Sequence, residues 1–141
     1  MEKSNEQIQF EKILLLLEKT EEDISRGGIV YFEGLRKDIL ENMIQESPDF
    51  FKENDVRYNE APTINEFMSF VELNRDFTME GFVTSPQHRE GETRFVINGV
   101  SAPANNDNVA NLYMWINDET NQFIEPTELD DNTGDIRAWW D

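Results

Sequence analysis

Apolar residues follow two rhythms along this chain, and the change between them falls near residue 76. Before it they recur every three or four positions, the spacing of one helix face. After it they cluster in short runs rich in Phe, Val, Ile and Thr. Phe10, Ile13, Leu14, Leu17 and Ile24 lie on one stripe with Glu11, Lys12, Glu18, Lys19 and Glu22 opposite, which predicts an amphipathic helix over residues 5–25. Leu15 and Leu16 widen the stripe beyond what one partner covers. Arg26-Gly27-Gly28 is a helix stop.

Residues 29–47 read as a second helix, with Phe32, Leu35, Ile39 and Met43 on one face. Residues 29–32 alone would suit a strand, and Gly34 costs a helix about 1 kcal/mol against Ala. The length of the segment decides for helix. Ser47-Pro48 ends it, because a residue before proline avoids helical dihedrals. Residues 48–61 read as a loop anchored by Phe50 and Phe51. In PTINEFMSFVELN, Thr63 and Glu66 have the spacing of a capping box, which predicts a third helix over 64–74 burying Ile64, Phe67, Met68 and Val71.

Beyond residue 76, FTMEGFVTS and TRFVINGVS flank the turn-forming PQHREGE and predict a β-hairpin. An Asn-rich loop follows. Residues 109–116 then read as a strand apolar on both faces, with Leu112, Met114 and Ile116 on one and Val109, Tyr113 and Trp115 on the other. Residues 122–124 suggest a short edge strand and residues 136–140 a last one. Adjacent strand residues face opposite ways. Of Trp139 and Trp140, therefore, one packs inward and the other is left as a contact residue.

The class expected is α+β, with about three N-terminal helices on one face of a C-terminal antiparallel β-meander of three to five strands. One domain over residues 1–141 holds both, 1–76 helical and 77–141 β. A chain of 141 residues buries roughly 68–70% of its unfolded surface and folds without disulfide or metal.

Charge changes this picture most. Thirty Asp and Glu against twelve Lys and Arg give a net charge of −18. Between Arg94 and Arg137 no Lys or Arg occurs, whereas Asp118, Glu119, Glu125, Glu128, Asp130, Asp131 and Asp135 all fall there. Such a surface repels nucleic acid and anionic membranes and attracts basic proteins. Ten Phe, three Tyr and three Trp set the chain apart from acidic disordered tails. The apolar run at residues 13–17 is too short for a signal peptide or a spanning helix, so a cytoplasmic protein is expected.

Candidate chemistry is sparse. The sequence has no Cys, which excludes thiolate zinc sites and a cysteine nucleophile. The lone His88 sits in a turn with no triad or metal partners beside it. Residues 130–135 resemble a calcium loop but place Gly134 where the third oxygen ligand belongs. Glycine-rich phosphate cradles and nucleophile elbows are absent. With thirty acids, no single carboxylate pair stands out as an acid/base couple. No catalytic residue, metal or cofactor is expected.

The leading expectation is a non-enzymatic protein that binds a basic protein partner through Trp139, Trp140, Asp118, Glu119, Glu125, Glu128, Asp130, Asp131 and Asp135. An inhibitor, immunity protein or nucleic-acid mimic is the concrete version. The wide stripe over residues 8–24 makes a homodimer seam an additional expectation. The alternative is a small regulatory or adaptor domain of a salt-adapted organism, its acidity environmental. Five Lys support that reading, and nineteen Glu against eleven Asp oppose it. An enzyme with a carboxylate site has the least support.

Overall fold

A computed structural model describes residues 3–87, 92–130 and 134–141, and for Asp130 the backbone alone. The described residues form an α+β fold with five α-helices, a short 3₁₀ turn at Glu21–Asp23 and five strands. Helices and strands are interleaved; the helices are not gathered at the N-terminus as expected. In chain order the elements are α1 (Asn5–Leu16), β1 (Ile29–Leu35), α2 (Lys37–Glu46), α3 (Pro48–Asn54), α4 (Ile64–Leu73) and β2 (Thr78–Thr84). After these come β3 (Phe95–Pro103), α5 (Asn106–Ile116), β4 (Glu128–Asp130) and β5 (Asp135–Trp139). The sheet is antiparallel throughout, in the order β1-β2-β3-β5-β4.

α1 starts at Ser4, whose Oγ accepts from the Gln7 N–H at 3.1 Å. It stops well short of residue 25. Glu18 adopts a left-handed φ of 58°. The Glu18 N–H donates to the Leu15 carbonyl and the Lys19 N–H to that of Leu14, a Schellman closure made without glycine. Phe10, Ile13 and Leu14 are buried, Leu16 and Leu17 pack beside them, and Leu15 points outward at 77% exposure.

Residues 29–35 are a strand, correcting the helix expected there. The β-branched and aromatic run Ile29-Val30-Tyr31-Phe32 alternates, with Val30 and Phe32 buried and Tyr31 outward. Gly34, at φ 66°, is the bulge residue between Phe32 and Leu35 that turns Leu35 back into the core. Local alternation outweighs segment length here. Pro48, which ends α2, also opens α3 at a position where its missing N–H costs nothing. The loop expected at 48–61 is thus partly helical, and Phe51 from it is buried against Phe95.

α4 is capped as the sequence predicts. The Thr63 Oγ1 accepts from the Glu66 N–H at 3.2 Å, and the Glu66 carboxylate accepts from the Thr63 N–H at 2.8 Å. α5 replaces the strand expected at 109–116. Its cap is Asn105, whose Oδ1 accepts from the Asn108 N–H at 2.9 Å. Asn108, Leu112 and Trp115 line its inner side at helical spacing. Residues 122–124 are not a strand; Phe123 is buried in a loop, and the edge strand is 128–130.

One face of the sheet carries the core. Val30, Met79, Val83, Ile97, Val100 and Ile136 point to it, and all five helices contribute to the same apolar cluster. At its centre Trp140, 2% exposed, packs edge-on against Phe67 and Phe123. Its Nε1–H donates to the Ile124 carbonyl at 2.8 Å. None of the described helices is long and apolar enough to cross a membrane.

Candidate functional site

The other face of the sheet is left without a helix and forms an open groove of about 650 Å³. Strand register builds its floor. Tyr31 pairs with Phe82 and Phe82 with Val96, giving an apolar row across β1, β2 and β3. One step along, Glu80 pairs with Gly99 and Gly99 with Trp139. Tyr58 closes one side, its ring edge-on to Phe82 at 5.7 Å. The loop carrying Tyr58 is fastened to α4, because Arg57 pairs with Glu66 at 2.9 Å and donates to the Ala61 carbonyl. Left-handed Asn59 and Glu60 then turn the chain sharply.

The polar end centres on Glu80 and Arg137. Two guanidinium nitrogens of Arg137 donate to the two Glu80 oxygens, at 2.6 and 2.9 Å, a bidentate pair formed over the intervening strand β3. Gly99 makes this possible. A Cβ there would stand 2.7 Å from Glu80 Cγ. The Arg137 guanidinium also lies 5.7 Å from the Trp139 ring centre and 3.7 Å from a Glu128 oxygen. Asn98 reaches the groove from the β2–β3 irregularity, is 9% exposed, and makes no side-chain hydrogen bond to the described residues.

The lining is charge-balanced, Lys19, Arg94 and Arg137 against Glu33, Glu80 and Asp141. The exterior differs sharply. Asp118, Glu119, Glu125 and Asp135 are exposed and make no ion pair with the described residues. The Asp118 carboxylate accepts from the Thr120 N–H and hydroxyl, which hold it below the usual carboxylate range. Burial pushes the Glu66 carboxyl up, but the Thr63 N–H and the Arg57 guanidinium outweigh it and leave it below its ordinary value.

Of the residues expected to contact a partner, Trp139 is the one among those described that lines the groove, and Glu128 touches it through Arg137. Trp140 is the inward member of the pair, held in the core and out of reach of a partner. Asp118 and Glu119 follow α5, Glu125 lies in the loop before β4, and Asp135 starts β5. The Asp130 side chain, Asp131 and His88 lie outside the described residues, as do residues 132–133 of the loop compared with a calcium site. On α1, Ile8 and Leu15 are the exposed apolar members of the stripe expected to form a dimer seam. No family model, curated protein or solved structure matches this chain.

Sequence reasoning missed Tyr31, Tyr58, Phe82, Asn98 and the Glu80–Arg137 pair. The pair joins residues 57 positions apart. One signal was available: Arg137 is the single base in a long acidic stretch and stands two residues from a Trp, the spacing of one strand face.

Proposed function

We propose that this is a non-enzymatic binding protein that docks on a basic protein surface, with the sheet-face groove at the centre of the interface and the acidic exterior as its rim. The observation that supports the reading is the contrast between an aromatic-floored, charge-balanced groove and an acidic exterior on which Asp118, Glu119, Glu125 and Asp135 stand exposed without an ion pair to the described residues. Interfaces of this kind place aromatic anchors in a central pocket and charge around them. The rim accelerates encounter with a cationic partner and makes association salt-sensitive. An inhibitor or immunity protein, or a mimic that presents carboxylates in place of phosphates, would use this layout. A cytoplasmic setting suits it.

The test is retention of host proteins on the immobilised protein at low and high salt, followed by association kinetics with whatever is held. A basic partner whose association rate falls about tenfold or more as salt rises is expected. Retention of acidic proteins, or a rate indifferent to salt, would overturn the reading. A chain that unfolds without molar salt would favour environmental acidity instead.

A further inference from the structure

We propose that the groove takes one arginine side chain projected by the basic partner, its guanidinium lying among Tyr31, Phe82 and Tyr58 and reaching toward Glu80 and Asn98. The inference rests on the reading of a basic partner given above and specifies what that partner inserts.

Three features of the groove favour a guanidinium. The first is the aromatic wall. Tyr31 and Phe82 stand 6.2 Å apart between ring centres and Tyr58 meets Phe82 edge-on, so a flat cation entering there meets ring surface on more than one side. Guanidinium is the side-chain cation best suited to such contact, being planar, weakly hydrated and able to stack.

The second is unused hydrogen-bonding capacity. Asn98 is nine-tenths buried and without a side-chain partner. Every enclosed side-chain polar atom among the described residues has a partner, so the Asn98 amide must open onto the groove. Glu80 gives each of its oxygens to Arg137, but a carboxylate offers about four acceptor positions. Two remain for an incoming donor, and the Asn98 amide oxygen supplies a further one.

The third is charge. The floor cation Arg137 is already satisfied by Glu80 and Glu128. Lys19 and Arg94 are balanced by Glu33 and Asp141 in the lining, and Glu92 lies 3.5 Å from Arg94. An anionic ligand would therefore find no net positive site here and would have to cross the field of a molecule carrying −18. A cation crosses that field downhill. Lysine would gain from the same field, but its compact, strongly hydrated ammonium fits the aromatic trough poorly.

The experiment titrates the full chain with a capped hexa-arginine peptide, a hexa-lysine peptide, a hexa-glutamate peptide and adenosine monophosphate, following backbone amide shifts. For the arginine peptide, shifts concentrated at Tyr31, Phe82, Asn98 and Trp139 are expected, with tighter binding than for lysine at equal charge. Tyr31→Ala should weaken the arginine peptide by roughly threefold to tenfold and the lysine peptide less. Tyr31 is 64% exposed, so this variant keeps the fold. Shifts spread over the outer carboxylates, equal for both cationic peptides and indifferent to Tyr31→Ala, would overturn the arginine site and leave the basic-partner reading standing. Binding of the nucleotide or the acidic peptide in the groove would also overturn the site. Absence of any response to either cationic peptide at low salt would overturn both readings.

Discussion

The two faces of the one sheet differ in almost every physical respect, and residues 137–140, at the end of β5 and just past it, display the difference. Ala138 and Trp140 point to the helices and are buried; Arg137 and Trp139 point the other way and line the groove. On the covered face the strands present Val, Ile, Met and Phe, all enclosed by helix side chains. On the open face they present Tyr31, Glu80, Phe82, Asn98 and Arg137, a mixture of rings, charges and an amide without a partner. A sheet needs only one dry face to fold. The composition of the second is therefore free to serve recognition, and its aromatic content exceeds what solubility asks for. Two identical neighbours in sequence, Trp139 and Trp140, are thereby assigned opposite tasks by strand alternation alone.

Substitutions along this division should separate stability from binding. The largest effect is expected for Trp140→Ala, which empties the centre of the core and should cost about 3–5 kcal/mol in urea unfolding. Trp139→Ala, one residue away, should cost less than about 1 kcal/mol and weaken the partner instead. Equal losses from the two would break the comparison.

Glu80→Gln is expected to cost roughly 1–2 kcal/mol, since it removes the charged half of a part-buried bidentate pair. Because that pair ties β2 to β5 across β3, the loss should appear chiefly as faster unfolding.

At α4, Thr63→Ala should cost about 1 kcal/mol through the lost cap, and pH gives an independent reading of its partner. The folded state holds Glu66 below its ordinary value, so the stability it contributes is present above the unfolded carboxylate range and lost as pH falls through the folded value. The gap between the wild type and Glu66→Gln should be full at neutral pH and close as pH falls through the depressed folded value, below the ordinary carboxylate range. A gap that widens in acid would contradict the depressed carboxyl.

The smallest effect is a gain. Glu18 occupies a left-handed position that glycine adopts without strain, so Glu18→Gly should stabilise by roughly 0.5–1 kcal/mol.

What was legible in the sequence was what nearby residues decide. The capping box at Thr63 and Glu66, the β2–β3 hairpin and the last strand each rest on signals within a few positions. β1 was misread because residues 29–35 are too short for periodicity to separate strand from buried helix. In α5, Val109, Leu112, Tyr113 and Ile116 hold helical spacing while Leu112, Met114 and Ile116 also alternate, so both periods fit the same letters. Asn105 was the deciding residue, an N-cap that read as loop. Of the groove, only Trp139 was legible. The groove's residues come from β1, β2, β3, β5 and the loops that carry Lys19 and Tyr58, and they meet only through a register that turns on Gly34, the β2–β3 irregularity and the bare Cα of Gly99.

Hydroxyl-radical footprinting of the protein with and without the basic partner it retains addresses the central claim most directly. Tyr31 and Trp139 should lose labelling on binding, while Tyr113 and Met114, exposed on α5 on the helix side, should keep theirs. Protection of Tyr113 and Met114 with Tyr31 and Trp139 unchanged would contradict the assignment of the open sheet face to recognition.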